Sequence, residues 1–249
     1  MRLRKLLAAL LALVTAGAIL AVPATPAYAD ECYTWPRTLR SGMAGEDVRQ
    51  LQIRVAGWTS GQQVVLPDGK FGPLTENAVK RFQTGYGLGS DGVAGPQTFG
   101  KIYELQDADC TPAHFSFTEM DDDCGDGYDG GRVPAAKAKD NALRVMWKLE
   151  ALRKKLGDRP LTVTSGFRHT PGCGDNNNSQ HHYGNAADLD SSTASLCTIA
   201  LAARDAGFSG IFGPGYPGHD DHTHVDSRFE NDDDGINPAV VWRAPSCGI

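Results

Sequence analysis

The chain has 249 residues, with 24 basic and 30 acidic side chains and a formal net charge of −6. An acidic chain lacks the excess of lysine and arginine with which proteins neutralise nucleic-acid phosphates, so we expect no nucleic-acid partner. Beyond the N-terminal segment no apolar run is long enough to span a bilayer, so we expect no membrane association of the mature chain.

The first 29 residues have the pattern of a secretory signal. Three basic residues precede a long apolar run, Leu6 to Val22, and Ala27-Tyr28-Ala29 forms an A-x-A cleavage site. An uncleaved membrane anchor is the alternative, but two prolines ahead of the small-residue site favour cleavage. We therefore predict a secreted, mature chain that begins at Asp30.

All six cysteines follow this segment, and an even count after a signal indicates three disulfides in an oxidising compartment. Six cysteines allow fifteen pairings. We favour pairing in sequence order, because the first two cysteines bracket a segment that reads as its own domain. The expected pairs are Cys32–Cys110, Cys124–Cys173 and Cys197–Cys247. None of the cysteines has C-x-x-C spacing, so we expect no cysteine ligand to a metal.

Residues 30–110 are predicted to form a small domain of three helices. The first helix is predicted from the spacing of Val48, Leu51 and Val55, with Asp47 as its N-cap. The second begins at Gly72 and Pro73, since proline is tolerated in a first turn. Its predicted buried stripe is Leu74, Ala78, Val79 and Phe82. A short third helix follows Pro96, and its predicted inward residues are Phe99 and Ile102.

Part of this domain, DGKFGPLTENAVKRFQTGYGLGSDGVAGPQT, resembles the bacterial peptidoglycan-binding domain, a three-helix module. The likeness rests on two D-G turns, the F-G-P helix start and the V-x-x-F-Q helix. It implies peptidoglycan as the partner, through its glycan or its peptide. The sequence does not indicate which surface residues would touch the wall.

Residues 111–249 are predicted to form an α+β domain with a central, mainly antiparallel sheet. Helices are predicted from Pro134 to Leu156, where Gly157 ends the helix, and from Leu196 to Ala206. Strands are predicted at LTVTSGF, AADLD and HTHVD, and a hairpin or strand pair at FSGIFGPG. MDDDCGDGYDGG and NDDDG suggest calcium loops, but neither meets the calcium pattern in phase, so we predict exposed loops.

Two polar clusters about forty residues apart carry the chemistry: SQHHYGNAADLD, which starts at Ser179, and GHDDHTHVD, which starts at Gly218. Zinc takes imidazole nitrogen and carboxylate oxygen, and a catalytic zinc needs three protein ligands and an open position. The spacing is not that of H-E-x-x-H on one helix, so the ligands must converge from separate segments. In a strand, His222 and His224 share a face, and geometry alone does not choose between them.

The two clusters resemble those of the zinc D-alanyl-D-alanine carboxypeptidases and related peptidoglycan peptidases. Three motifs carry the likeness: S-x-H-x-x-G-x-A-x-D, an acidic residue three positions before a histidine, and S-G-F-R. The matching residues are Ser179, His181, Gly184, Ala186 and Asp188, then Asp221 and His224, and Ser165 to Arg168. The resemblance implies one zinc ion per chain, held by His181, Asp188 and His224. His222 then becomes a neighbour, and as a fourth ligand it would close the site and make the zinc structural.

The resemblance also implies roles for three further side chains. Asp221 would be the general base that takes a proton from zinc-bound water. His219 would stabilise the oxyanion of the transition state, although a lone loop histidine is the alternative reading. Arg168 would hold the terminal carboxylate of the substrate as a bidentate fork, and an ion pair with a local carboxylate is its alternative. Ser179 would orient a ligand or simply form a turn.

The expected protein is therefore a secreted, monomeric zinc carboxypeptidase that hydrolyses the terminal D-Ala-D-Ala bond of peptidoglycan stem peptides. One alternative is an endopeptidase that cuts an internal stem or cross-bridge bond. Another is a non-catalytic wall-binding protein with structural zinc. No G-x-S-x-G or S-x-x-K motif supports a serine hydrolase, and no P-loop or dinucleotide fingerprint is present.

Overall fold

The structure is a computed structural model that describes residues 32–121, 127–170, 179–228 and 240–249. The predicted signal, the expected Cys124–Cys173 disulfide and the NDDDG loop lie outside these residues, as does the middle of the MDDDCGDGYDGG loop. The other two expected disulfides, Cys32–Cys110 and Cys197–Cys247, are confirmed. Among the described helices, none is long and apolar enough to cross a bilayer.

The first part of the chain forms three helices, as predicted: α1 (Glu46–Val55), α2 (Pro73–Gly85) and α3 (Pro96–Glu104). The N-cap prediction was wrong, because Gly45 caps α1. Asp47 lies inside the first turn, where its carboxylate accepts a hydrogen bond from the backbone N–H of Val48 at 3.0 Å. The same carboxylate also pairs with Arg37 at 2.6 Å.

The predicted buried stripe of α2 is confirmed for three residues and wrong for Leu74. Ala78, Val79 and Phe82 are fully buried, whereas Leu74 is 44% exposed. In the first turn of α2 it is Thr75 that faces the core. This residue is 3% exposed and lies about 100° around the helix from Leu74. Leu74 therefore projects from the rim of the domain rather than into its core.

The second part contains a five-stranded sheet, and the predicted α+β class with a mainly antiparallel sheet is confirmed. The strands are β1 (Thr162–Ser165), β2 (Ala186–Asp190), β3 (Gly210–Phe212), β4 (Thr223–Asp226) and β5 (Val241–Arg243). Their order is β1-β2-β4-β3-β5, and only the β3–β5 pair is parallel. The predicted hairpin at FSGIFGPG is instead the single strand β3, whose partners come from later in the chain. Strand β5 was not predicted from the sequence.

Two helices complete this part, α4 (Ala135–Lys155) and α5 (Leu196–Ala203). The α4 prediction is confirmed, and Gly157 follows it with a φ of 76°. Helix α5 is shorter than predicted and ends at Ala203. Helix α4 serves two hydrophobic cores, because Val145 and Leu149 pack in the core of the sheet while Trp147 and Ala151 pack among the first three helices.

Candidate metal centre

Three predicted ligand side chains meet at one buried point. His181 comes from a 3-10 helix (Gln180–Tyr183), Asp188 from β2 and His224 from β4, directly across the ladder from Asp188. His181 Nε2 lies 3.2 Å from Asp188 Oδ1 and 3.1 Å from His224 Nδ1. His224 Nδ1 lies 2.9 Å from Asp188 Oδ1. Among the described residues these three form the group of donors that could hold a metal ion.

The local backbone explains how the first ligand reaches this point. The hydroxyl of Ser179 accepts a hydrogen bond from the backbone N–H of His181 at 3.4 Å and caps the 3-10 helix. Gly184 ends that helix with a φ of 72° and lies against the carbonyl of Ala138 in α4, so that a side chain here would clash. A glycine is therefore needed where the chain turns from His181 into β2.

In each of the two histidines, one ring nitrogen donates a hydrogen bond to a protein oxygen. The other ring nitrogen, which faces the metal group, is therefore left as an acceptor. His181 Nδ1 faces the carbonyl oxygen of Gly166 at 2.5 Å, and this oxygen can only accept, so Nδ1 carries the proton. His224 Nε2 likewise donates to the carboxylate of Asp226 at 3.1 Å. In neutral imidazoles, Nε2 of His181 and Nδ1 of His224 then point lone pairs at each other and at Asp188.

This donor set fits a zinc ion. Ligand atoms on a tetrahedral zinc, with bonds of about 2.0–2.1 Å, lie roughly 3.3 Å apart. The three separations observed are 2.9, 3.1 and 3.2 Å. Two nitrogens and one carboxylate oxygen are also ligands that zinc prefers. Three converging lone pairs repel one another unless positive charge lies between them.

The electrostatics of the group favour positive charge at the same point. Burial would lower the pKa of His224, but its hydrogen bonds with Asp188 and Asp226 outweigh burial and raise the pKa to about 9. Burial opposes ionisation of Asp188, yet hydrogen bonds with His181 and His224 hold its pKa far below the usual range. Burial lowers the pKa of His181, which keeps this imidazole neutral.

The candidate metal centre lies on the wall of an open cavity of about 550 Å³. The cavity is large enough for a small peptide, since ligand pockets typically measure about 300–1,000 Å³. Two predicted site residues outside the metal group, Arg168 and His219, also line it. The remaining lining residues include Ser179, Gln180, Phe212, Tyr216, Pro217, Gly218, His222 and Arg228.

Comparison with known proteins identifies the family of the chain. The Peptidase M15 profile matches residues 113–226, and the profile of a putative peptidoglycan binding domain matches residues 44–102. The zinc D-Ala-D-Ala carboxypeptidase of Streptomyces albus G is 53% identical over 228 residues, which is 88% of this chain and 84% of that protein. The chain belongs to the Peptidase M15 family.

Two further relatives match shorter stretches. The N-acetylmuramoyl-L-alanine amidase CwlM of Mycobacterium tuberculosis is 43% identical over 63 residues, 24% of this chain and 14% of that protein. The crystal structure of a peptidoglycan-binding protein from Clostridioides difficile is 39% identical, covering 26% of this chain and 39% of its own. Its TM-score of 0.23 does not indicate a shared overall fold.

In this M15 peptidase, Arg168 is already engaged. Its Nη2 donates to Asp188 Oδ2 at 2.6 Å and its Nε to the hydroxyl of Ser165 at 2.8 Å. The ion pair that the sequence analysis left as the alternative is therefore present, and its partner is a candidate metal ligand. Arg168 nevertheless lines the cavity, so the guanidinium holds Asp188 in place beside the space for a substrate.

His219 lines the cavity beside the metal group, with its ring 5.9 Å from that of His224, and packs among aromatic rings. Its Nδ1 donates to the carbonyl oxygen of Pro217 at 3.1 Å, and its ring packs 5.6 Å from that of Phe212. Burial lowers the pKa of His219. The neutral ring therefore presents Nε2 as an acceptor, and it can donate to an oxyanion only when protonated.

Asp221 is not placed in the cavity. Its side chain is 90% exposed and accepts a hydrogen bond from Nδ1 of His222 at 2.8 Å. The other nitrogen of His222, Nε2, lies 3.6 Å from Asp188 Oδ1 at the metal group. His222 therefore stands between Asp221 and the cavity, and the predicted base has no direct path to a reacting atom in this geometry.

One residue of the site, Asp226, was not predicted from the sequence. This carboxylate is fully buried, accepts from His224 Nε2, and is paired with Arg228 at 2.5 Å. The space it fills exists because Gly210, its partner across the β3–β4 ladder, has no side chain; a Cβ there would clash with the carboxylate. Strand alternation could have found it, since residues 222, 224 and 226 share one face.

Proposed function

We propose that this chain is a zinc D-Ala-D-Ala carboxypeptidase that hydrolyses the terminal bond of peptidoglycan stem peptides. The observation that carries the proposal is the convergence of three lone-pair donors on one wall of an open cavity. The 53% identity to a zinc D-Ala-D-Ala carboxypeptidase over most of both chains supports the same reaction.

His181, Asp188 and His224 would hold one zinc ion per chain. When bound, zinc would polarise the scissile carbonyl and lower the pKa of its water to about 7. The chain's own residues hold the three ligands in position. Hydrogen bonds to Gly166 and Asp226 fix the imidazoles of the two histidines, and a hydrogen bond from Arg168 fixes the carboxylate of Asp188. Such outer hydrogen bonds set tautomer and orientation.

The residues that face the cavity supply proton transfer and charge stabilisation. His222 would take a proton from the attacking water at Nε2 and pass it to the leaving amine, while Asp221, bonded to Nδ1, would orient the ring and stabilise the cation that forms in between. Asp221 thus keeps a catalytic role that acts through His222 rather than directly. Only the protonated form of His219 would donate from Nε2 to the oxyanion that develops on the substrate carbonyl, so this contribution should fall as pH rises.

Arg168 would also recognise the terminal carboxylate of the substrate. A guanidinium can serve two carboxylates because it carries five donors in a fixed fork. One edge of Arg168 is directed to Asp188 and Ser165. The cavity side of the same group would bind the free carboxylate of the terminal D-alanine.

Residues 30–110 would form a wall-binding domain and residues 111–249 the peptidase domain, with residues 1–29 removed as a signal. Attachment to peptidoglycan would raise the local concentration of enzyme at an insoluble substrate. The mature protein would be secreted, monomeric and associated with the cell wall. The peptidoglycan binding domain profile over residues 44–102 supports this organisation.

The test combines metal content with product release. Purified mature protein should contain about one zinc per chain and release D-alanine from a stem peptide that ends in free D-Ala-D-Ala. His224→Ala should lose both zinc and hydrolysis. Bound zinc without hydrolysis of any wall peptide would overturn the proposal in favour of a structural metal.

The engagement of Arg168 with Asp188 keeps one other peptidase reaction open, cleavage of an internal stem or cross-bridge bond. A peptide with a C-terminal amide separates the two. The carboxypeptidase should cleave the free acid and leave the amide intact, whereas equal cleavage of both would assign the endopeptidase reaction.

A further inference from the structure

The first three helices are built on an internal repeat that centres on two buried glutamines. The two N–H groups on Nε2 of Gln52 in α1 are shared among the carboxylate of Asp68 at 2.8 Å, the carbonyl of Lys70 at 3.0 Å and the hydroxyl of Thr75 at 3.1 Å. Its Oε1 accepts from the backbone N–H of Gly69 at 2.8 Å. One side chain thus fixes the whole D-G turn that leads into α2.

Gln83 in α2 makes the same four contacts with the next turn. Its two Nε2 hydrogens are shared among the carboxylate of Asp91 at 2.9 Å, the carbonyl of Val93 at 3.0 Å and the hydroxyl of Thr98 at 3.1 Å. Its Oε1 accepts from the N–H of Gly92 at 2.9 Å. The turn DGKFGPLT is therefore repeated, 23 residues later, as DGVAGPQT.

The two copies differ at positions that take no part in the hydrogen bonds between the glutamine and the turn. Leu66 and Leu74 of the first copy correspond to Gly89 and Gln97 of the second. Both leucines are conspicuous on the surface, at 38% and 44% exposed. Since the second copy forms the same turn without them, the fold does not need leucine at these positions.

The two leucines flank a cavity of about 470 Å³, which we call the repeat groove. The segment between Gln52 and Asp68 is longer than its counterpart in the second copy, and its end forms one wall of the groove. Among the described residues, the lining includes the aliphatic side chains of Val64, Val65, Leu66, Pro73, Leu74 and Val240 and no aromatic ring. The residues that line it include Gln62, Gln63, Val64, Val65, Leu66, Lys70, Pro73 and Leu74.

We propose that the repeat groove binds an alanine-bearing peptide stem of peptidoglycan. This rests on peptidoglycan being the partner of the chain, and the matching peptidoglycan binding domain profile contains both leucines and the turn between them. Methyl side chains fit an aliphatic groove, whereas sugar rings usually stack on aromatic rings. Lys70 at the rim offers a cation to a carboxylate of the stem.

The charge of this part of the chain agrees with recognition through apolar contacts. Residues 32–110 carry eight basic and eight acidic side chains, whereas the residues after 110 carry thirteen basic and twenty acidic ones. A neutral domain is not drawn to a charged polymer by its overall field. Specific attachment must then come from a shaped site such as the repeat groove.

The test is co-sedimentation of the mature protein with purified, insoluble peptidoglycan. The double variant Leu66→Gln, Leu74→Gln should bind at least tenfold more weakly, while its hydrolysis of a short soluble stem peptide stays unchanged. The matched control is Leu201→Gln, which alters a leucine in α5 that is 40% exposed and outside the groove. Binding of the double variant equal to that of the control would overturn the proposal.

Two further arms identify the occupant and separate this proposal from the proposed catalysis. Soluble stem peptide should displace the protein from the wall, and displacement by peptide-free glycan strands alone would overturn the peptide assignment. His224→Ala should still bind the wall through the repeat groove. Failure of hydrolysis therefore leaves the groove test intact, and failure of wall binding leaves the peptide-hydrolysis test intact.

Discussion

His224 uses its two ring nitrogens for different partners, and this division makes the metal group possible. Nε2 is committed to Asp226, so Nδ1 is left to face Asp188 and His181. Asp226 is in turn held by three side-chain contacts from Arg228, at 2.5 to 3.1 Å. The position of one ligand atom therefore depends on a chain of two buried hydrogen-bonded groups behind it.

Substitution Asp226→Asn should weaken zinc binding by about 10–100-fold, the usual cost of losing the partner of a metal-bound histidine. The amide keeps the shape of the carboxylate but loses the charge that favours the donor tautomer at His224 Nε2. Chelator competition at fixed pH measures the change directly, independent of catalysis.

The control for this variant is Asp190→Asn, which alters an exposed aspartate at the end of β2. Its carboxylate accepts from the backbone N–H of Ser191 and does not touch the metal group. An equal loss of zinc affinity in both variants would show that Asp226 has no specific role in positioning His224.

Sequence motifs predicted which residues meet at the metal group but not what holds them. His181, Asp188 and His224 were found because their spacing matches a family pattern, and they do converge. By contrast, His222 pairs with Asp221, and the carboxylate of Asp221 is exposed. Both facts depend on side-chain rotamers, which cannot be predicted from the spacing of residues in a motif. Asp226 lies outside the three motifs, so only strand alternation could have pointed to it.

At the scale of elements, the site depends on a close approach between the 3-10 helix and α4. Gly184 turns the chain in the left-handed region, against the carbonyl of Ala138. The turn leads directly into β2, which carries Asp188. The spacing between His181 and Asp188 thus includes one position where both backbone conformation and space exclude a side chain.

Substitution Gly184→Ala should lower the free energy of unfolding by more than the about 1–2 kcal/mol that left-handed backbone alone costs an alanine. The added methyl must also push the 3-10 helix away from α4, which should weaken zinc binding through His181. Urea denaturation and chelator competition measure the two effects.

Gly218→Ala is the matched control, because Gly218 has a φ of 80° but no neighbouring atom within 4 Å of an added Cβ. The free energy of unfolding of Gly218→Ala should fall only by the about 1–2 kcal/mol that left-handed backbone costs an alanine. If the two variants lost the same stability, contact with α4 would be unimportant for the position of His181.

The element predictions held where local patterns carry the information. Helix α4 was predicted to within a residue or so because its apolar face persists over 21 residues. The short strand β3 was mistaken for a hairpin, since its partners β4 and β5 lie later in the chain and no local pattern reveals them. The internal repeat was not predicted, because the spacing between the glutamine and the turn differs between the copies, although the turns themselves recur after 23 residues.

At the scale of the whole molecule, α4 joins the two parts into one packed unit. Trp147 is 2% exposed among the first three helices and donates from Nε1 to the carbonyl of Cys110 at 3.1 Å. Arg54 of α1 is buried beside it, with its guanidinium 5.8 Å from the centres of the Trp35 and Trp147 rings. The orientation of the first three helices relative to the cavity is therefore set by a shared core rather than by a flexible linker.

Lys155, at the end of α4, places a partly buried charge at the same interface. Its ammonium donates to the carbonyl oxygens of Gly57 at 2.8 Å and Thr59 at 3.2 Å, and also to that of Asp205. Three carbonyls use all three donors of an ammonium group. Burial nevertheless lowers the pKa of Lys155 to about 8, from an ordinary value of 10.5.

The sign of the resulting pH dependence follows from this lowered pKa. Below pH 8 both the folded and unfolded states hold the proton, and the folded state bears the cost of the buried charge. Between about pH 8 and 10.5 the unfolded state binds more protons, so the contribution of Lys155 to stability rises with pH. Above that range the contribution is constant.

Urea titrations of the wild type and of Lys155→Arg across pH 7 to 10.5 test this account of the interface. Arginine keeps its charge throughout this range, so the wild type should gain stability relative to the variant as pH rises above 8. Because other groups that titrate there are common to both proteins, the difference between the two curves isolates residue 155. Parallel curves would mean that the lysine keeps its proton in the folded state and that burial at the interface is too slight to displace it.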